Sequence, residues 1–215
     1  MKKGLLLGLF TLIGICISYA QSTDGMQLVF EDDFSNNKNA WQLNQTGNKS
    51  SFINYDNKLL VLDTNVPGDK HRVTMNAPIG FNQDFVLKTS LKCKECAGAK
   101  DVQFGILFGM ASKSDIDSQG YYSMRLLQVG GKDEVWIRVN NSNGTQLYDM
   151  NAKSSFDPND FNELSVERTG DTVNFYVNGS LVYSNTTTET TGNQIALLAD
   201  NKMKIFMQSI SMWTK

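Results

Sequence analysis

Trp136, Arg138 and Asn140 follow one another at a spacing of two, and Tyr121 and Arg125 stand four apart a little earlier. On extended chain such residues share a face. With Asp149 they make one aromatic and polar set. Its chemistry is recognition of sugars. An aromatic ring packs on the C–H face of a pyranose, and guanidinium, amide and carboxylate groups hydrogen-bond its hydroxyls. Selectivity comes from polar groups that a wrong ligand leaves unpaired. The same residues also have a structural use. Arg138 and Asp149 can form a surface pair worth ~0–1 kcal/mol, and Arg125 over Trp136 is an ordinary cation–π arrangement.

Bond-breaking chemistry finds less support. Glycoside hydrolysis needs two carboxylates facing each other about 5–9.5 Å apart. Asp133-Glu134 puts its acids on opposite faces of a strand. A serine triad would have to use His71, the one histidine, and no Gly-x-Ser-x-Gly elbow occurs. Cys93-Lys-Glu-Cys96 has four readings. A zinc site would need two more ligands, and a redox motif would need a helix start. The alternatives to these are free thiols and a local structural disulfide worth about 2 kcal/mol. Export, argued below, favours the disulfide.

These residues need strands to hold them, and the chain supplies strands throughout. Apolar residues recur with a period of two, and no long segment shows a 3.6 repeat. The predicted strands are Gln27–Asp32, Ser51–Tyr55, Lys58–Asp63, Arg72–Ala77, Phe85–Lys92, Val102–Met110, Tyr121–Val129, Glu134–Asn141, Thr145–Met150, Asn162–Arg168, Thr172–Val177, Leu181–Ser184, Gln194–Ala199 and Lys204–Met212. Asp157-Pro158 suits the start of a helical turn over Asp157–Phe161.

Turn chemistry predicts the register of four hairpins. Gly130-Gly131 pairs Leu126 with Val135, Met124 with Ile137 and Tyr122 with Val139. Asn143-Gly144 pairs Val139 with Tyr148 and Ile137 with Met150, and sets Arg138 opposite Asp149. Thr169-Gly170 pairs Val166 with Val173 and Leu164 with Phe175, and Asn178-Gly179 pairs Phe175 with Val182. All these pairs but the charged one are apolar or aromatic, so they belong to the core. The opposite face then carries Tyr121, Ser123, Arg125, Trp136, Arg138 and Asn140. A one-residue slip would invert every face. About fourteen antiparallel strands with one apolar face each predict an all-β domain, a two-sheet antiparallel sandwich or jelly roll.

Composition agrees with one globular domain. Of 215 residues, 40% are apolar, and 17 Gly with 3 Pro exclude collagen-like or disordered chains. Met1-Lys2-Lys3, the apolar run from Gly4 to Ile17 and the small residues of Ser18-Tyr19-Ala20 read as a signal peptide cleaved after Ala20. The domain then spans residues 21–215. The leader contains Lys2 and Lys3 and no acid, so the remainder carries 18 basic against 22 acidic residues, a net of −4. That balance disfavours nucleic acid and anionic membrane surfaces. No later stretch is long and apolar enough to be a membrane helix. The short Lys-Lys start looks bacterial, and the expected location is periplasmic or secreted.

The strands also resemble a known superfamily. Phe30-Glu-Asp-Asp-Phe-Ser35 with Trp41, Gly105-Ile-Leu-Phe-Gly109 with Tyr121-Tyr-Ser-Met-Arg125, and the run from Phe161 through Asn178-Gly179 to Val182 are similar to secreted concanavalin A-like lectin/glucanase domains. The last run resembles the signature of laminin-G-like and sugar-hydrolase-associated members, one branch of which is 3-keto-disaccharide hydrolases. The resemblance implies a jelly roll whose concave sheet binds carbohydrate, in members with and without catalysis. Glucanases of this group carry their acids on a Glu-x-Asp-x-(x)-Glu strand. Here Glu31-Asp32-Asp33 is followed by Ser35 and Asn36 where the second Glu should lie. Relatives also often hold Ca²⁺ between acids of the first strand and an Asp in the last. Asp32 and Asp33 fit the first half, and Phe206-Met207-Gln208-Ser209 lacks the other.

Three functional readings follow. The leading one is an exported, non-catalytic, lectin-like domain for a carbohydrate or glycan-bearing surface. The second is a divergent glycoside or 3-keto-disaccharide hydrolase. The third is a structural or interaction module of the cell envelope.

Overall fold

The computed structural model describes residues 23–65, 70–96, 101–111, 120–130, 132–141, 146–186, 192–200 and 202–215. The expected leader and the central residues of the Asn143-Gly144 turn lie outside them.

The strands are β1 (Gln27–Asp32), β2 (Asn44–Thr46), β3 (Lys49–Asn54), β4 (Leu59–Thr64), β5 (Lys70–Asn76), β6 (Phe85–Glu95), β7 (Asp101–Met110), β8 (Tyr121–Val129), β9 (Lys132–Asn140), β10 (Gln146–Lys153), β11 (Asn162–Thr169), β12 (Thr172–Val177), β13 (Ser180–Asn185), β14 (Gln194–Asp200) and β15 (Met203–Thr214). They form two antiparallel sheets. The nine-stranded sheet runs β13-β12-β11-β6-β15-β4-β3-β2, with β1 also paired to β15. The six-stranded sheet runs β10-β9-β8-β7-β14-β5. The predicted two-sheet sandwich is what forms.

The inner faces supply the core. Leu87, Leu164, Val166, Phe175, Ile205 and Met212 of the larger sheet meet Phe104, Ile106, Met124, Val135, Ile137 and Leu197 of the smaller. An aromatic ladder crosses between the layers. Phe81 lies 5.1 Å from Phe85 and 5.2 Å from Phe108, and Phe108 stacks on Tyr122 at 5.1 Å. Such pairs add to the area they bury because ring edges meet ring faces or stack offset.

The registers of β8, β9 and β10 are the predicted ones. Leu126 faces Val135, Met124 faces Ile137 and Tyr122 faces Val139. Tyr148 faces Val139, and Asp149 faces Arg138. The next two hairpins need correction. The β11–β12 turn is Gly170-Asp171, not Thr169-Gly170, so Val166 meets Phe175 and Arg168 meets Val173. That slip of two residues leaves every side chain on its predicted face. After Asn178-Gly179, a register shift pairs Phe175 with Tyr183 rather than Val182. A bulge of this kind breaks strict alternation, and Val182 and Tyr183 accordingly both pack on the core. At Asp157 a single backbone bond from Asp160 N–H to the Asp157 carbonyl makes a turn in place of the predicted helical turn. A third shift, in β15 between Met207 and Ser209, lets Met207 and Ile210 both point inward.

Asp84 fastens the β11–β12 turn to the strand before it. It accepts from Gly170 N–H at 2.7 Å and from Lys215 Nζ at 3.0 Å. The Gly170 bond, then Lys215, hold its carboxyl below the usual range. A lowered folded pKa gives stability that is present above the unfolded pKa and lost as pH falls through the folded one. Asp84→Asn should therefore cost about 1 kcal/mol near neutrality. The difference from wild type should shrink as pH falls through and below the ordinary carboxylate range. Thermal melts of both proteins across that range check it, and a pH-independent difference would refute the assignment.

Candidate functional site

Register defines the outer face of the six-stranded sheet row by row. One row reads Lys70, Asp200, Gln103, Leu127, Glu134 and Lys153 across β5, β14, β7, β8, β9 and β10. The next reads Arg72, Leu198, Gly105, Arg125, Trp136 and Asn151. The third places Thr74, Ala196, Leu107, Ser123, Arg138 and Asp149 together. The predicted sugar-contacting residues do share this face, with Tyr121 and Asn140 one row further.

Their exposure differs from the expectation of an open platform. Tyr121 is 1% exposed, Arg125 6% and Asn140 5%. Tyr121 belongs to a second apolar cluster with Leu107, Met110, Ala196 and Leu198, on the outside of the sheet and fully buried. The middle of the face is filled. Trp136 and Arg138 remain half-exposed. The side chain of Asp149 lies outside the described residues.

Trp136 carries two cations. The Arg125 guanidinium carbon lies 4.8 Å from its ring centroid and that of Arg138 lies 4.5 Å away. The indole thus orders two guanidinium groups, and Arg138 is the one nearer solvent.

Beneath Trp136 runs a polar chain that crosses three strands. Arg125 Nε donates to Ser123 Oγ at 2.7 Å, and Arg125 Nη1 lies 3.4 Å from Asp200 Oδ2. With the Gln103 amide nitrogen turned toward Asp200, it donates to Oδ2 at 3.0 Å, and the Gln103 oxygen accepts from Arg125 Nη1 at 2.9 Å. Asp200 Oδ1 is buried and has no hydrogen-bond partner. Burial raises the Asp200 carboxyl above its ordinary value of 3.8, against the opposing pull of Arg125, Lys70 and Arg72. Gly105 permits the close approach of β7 to β8 here, because a Cβ would collide with the Met124 carbonyl and sit 2.7 Å from Arg125 Cα.

The sequence reasoning missed Asp200 and Gln103. The signal was available in Ile195-Ala-Leu-Leu-Ala-Asp200, where alternation puts Asp200 on the face of Ala196 and Leu198. Nothing local tied it to Arg125.

Of the acids at register positions on this face, Asp101, two residues from Gln103 on β7, is diagonal to Asp200 at about 7–8 Å between backbones, and the others lie farther apart. Asp200 and Glu134 share a row but are separated by three strand spacings, roughly 14 Å between backbones. Asp149 faces Arg138, four residues along from Glu134, or about 13 Å. Retaining and inverting hydrolysis need carboxyl separations of about 5–9.5 Å.

Calcium does not fit the donor set at the first strand. Asp32 Oδ1 accepts from Phe34 N–H at 2.8 Å, and Oδ2 accepts from Asn39 Nδ2 at 2.8 Å and Trp41 Nε1 at 2.9 Å. Its oxygens are spent on organising the loop. Asp33 points elsewhere, accepting from Ser35 N–H and Oγ, which hold its carboxyl below the usual range. Asp32 and Asp33, the expected calcium ligands, thus each accept from donors of their own loop. Among the described residues no three His, Cys, Asp or Glu side chains group to hold a metal ion. His71 is buried on the inner face of β5, opposite Ala199. Cys93 and Cys96 are joined as a disulfide, their Cα atoms 5.8 Å apart.

The family profile described as the concanavalin A-like lectin/glucanases superfamily matches residues 98–206, just over half of the chain. The chain belongs to that superfamily. The match begins before β7 and ends within β15, so it contains every strand of the six-stranded sheet except β5. No curated protein sequence matches this superfamily member significantly. Solved structures agree on the fold. Bacillus licheniformis β-glucanase matches 86% of this chain and 97% of its own at 15% identity, with a TM-score of 0.60. The catalytic domain of the Thermotoga petrophila endo-1,3-β-glucanase matches 88% and 98% at 13% identity and 0.62. The Emp47p carbohydrate recognition domain matches 91% and 99% at 10% identity and 0.60. Glycoside hydrolases and lectins thus share this member's fold. No helix among the described residues is long and apolar enough to cross a membrane.

Proposed function

We propose that this superfamily member is an exported, non-catalytic carbohydrate-binding domain. The observation that carries the reading is a half-exposed Trp136–Arg138 surface beside a polar network, on a chain without the Glu-x-Asp-x-(x)-Glu strand of the glucanases it resembles. Export rests on the basic and apolar leader and accords with the Cys93–Cys96 disulfide. The ligand surface is narrower than the six residues first singled out. Trp136 and Arg138 make contact, Arg125 supports Trp136 from below, and Tyr121 and Asn140 serve packing.

A glycan array run beside a hydrolysis screen on the same polysaccharides tests this. Binding without turnover is expected, weakened about tenfold by Trp136→Ala, the scale of one aromatic anchor. Unchanged binding in that variant removes this surface from the reading. Release of reducing sugar instead supports the divergent-hydrolase alternative, for which Asp200, a buried acid with a raised pKa, is the specific observation. Silence in both screens favours an envelope module, in keeping with the filled middle of the face.

A further inference from the structure

Three cations surround Asp200. Lys70 stands directly opposite it on β5, Arg72 is the next outward residue of that strand, and Arg125 reaches it from β8. Lys70 is exposed and Arg72 half-exposed, so the cluster opens to solvent on the β5 side. Elsewhere on the face Glu134 stands opposite Lys153 and Asp149 opposite Arg138, while Asp101 stands opposite Val129. The positive excess of the face therefore gathers at Lys70 and Arg72, on a chain whose net charge after the leader is −4.

We propose that Lys70 and Arg72 form a subsite for an acidic sugar, one bearing a sulfate ester or a carboxylate, with Asp200 as their resident counter-ion and Arg125 buried behind it. The proposal rests on the reading of this face as a carbohydrate surface and adds the class of sugar. Guanidinium forks match the oxygens of both anions, and an ammonium adds a point charge. Asp200 competes with such a ligand for the same cations. One of its oxygens already lacks a partner, so its ionised form is poorly supported where it lies. Burial raises its pKa, so proton uptake begins above the ordinary carboxylate range and removes the charge that competes for these cations. The other charged groups beside Asp200 are Lys70, Arg72 and Arg125, with Asp101 at the diagonal register position on β7, which also contributes the neutral Gln103.

The test compares dextran sulfate with neutral dextran on the purified protein, because sulfate stays ionised over the whole range. Wild type should retain dextran sulfate and bind it more tightly as pH falls from 7.5 toward the ordinary carboxylate range. Asp200→Asn should bind more tightly than wild type at pH 7.5, with a flattened profile. Asp84→Asn removes a carboxylate elsewhere and should keep the wild-type slope. Arg72→Gln and Lys70→Gln should each weaken binding several-fold. The proposal is overturned if Asp200→Asn keeps the wild-type slope, or if both cation variants bind as wild type does. Capture of dextran sulfate with these dependences, alongside a silent glycan array, would keep the anion subsite and sink the carbohydrate reading. Neutral-glycan binding without capture of dextran sulfate would do the reverse.

Discussion

Replacing Asp32 with alanine should lower the unfolding free energy by about 4 kcal/mol, the scale of a buried network losing its shared acceptor. Three donors converge on this one carboxylate, Phe34 N–H, Asn39 Nδ2 and Trp41 Nε1. Deleting it leaves the Trp41 indole N–H and the Phe34 amide buried without acceptors. The loop is also conformationally costly, since Phe34 adopts φ of 56° and Ala40 of 53°, a region that side chains enter only when their surroundings hold them there. Phe34 and Trp41, 5.9 Å apart, are both core residues, so loosening the loop also loosens apolar packing. For a domain of this size the melting temperature should fall by about 10 °C. The neighbouring Asp33→Ala is the control. That carboxylate serves Ser35 at the surface, and its loss should leave the unfolding free energy nearly unchanged. Urea denaturation followed by tryptophan emission measures both, and equal effects would show that Asp32 does not organise this loop.

Arg125→Met should cost about 3 kcal/mol at pH 7.5, because it leaves Asp200 charged, buried and without its nearest cation. The pH dependence sets this apart from simple loss of packing. Asp200 has a raised folded pKa, so its contribution to stability is in place below the unfolded value of 3.8 and is lost as pH climbs through the folded value. Removing Arg125 raises that folded value further and deepens the loss at high pH. The cost of Arg125→Met should therefore shrink steadily as pH falls toward the ordinary carboxylate range. This is the opposite sign to Asp84, whose contribution fades on acidification. Adding Asp200→Asn to Arg125→Met should restore most of the stability at pH 7.5, since no charge then remains to be buried. Denaturation at several pH values for the two single variants and the double closes the cycle. A cost independent of pH, or a double variant no more stable than Arg125→Met, would mean that the ion pair does not govern this part of the face.

What neighbouring residues determine was legible before any coordinates. Period-two alternation marked β8, β12 and most of the other strands, and the glycine turn after Val129 set the pairing of Met124 with Ile137. Where the tight turn could be centred in two ways, at Thr169-Gly170 or Gly170-Asp171, local chemistry chose wrongly by two residues. Bulges at Val182 and Gln208 also escaped, because an extra residue in a strand answers to what packs beneath it. Burial of the outer face was not legible at all. Tyr121, Arg125 and Asn140 read as a ligand surface because alternation points them away from the core, and alternation carries no information on what covers the far side of a sheet. Asp200 is the clearest case. It meets Arg125, 75 residues earlier, because β14 inserts between β7 and β5. Strand order is settled by the global fit of two apolar faces, a long-range quantity with no trace in the spacing of adjacent residues.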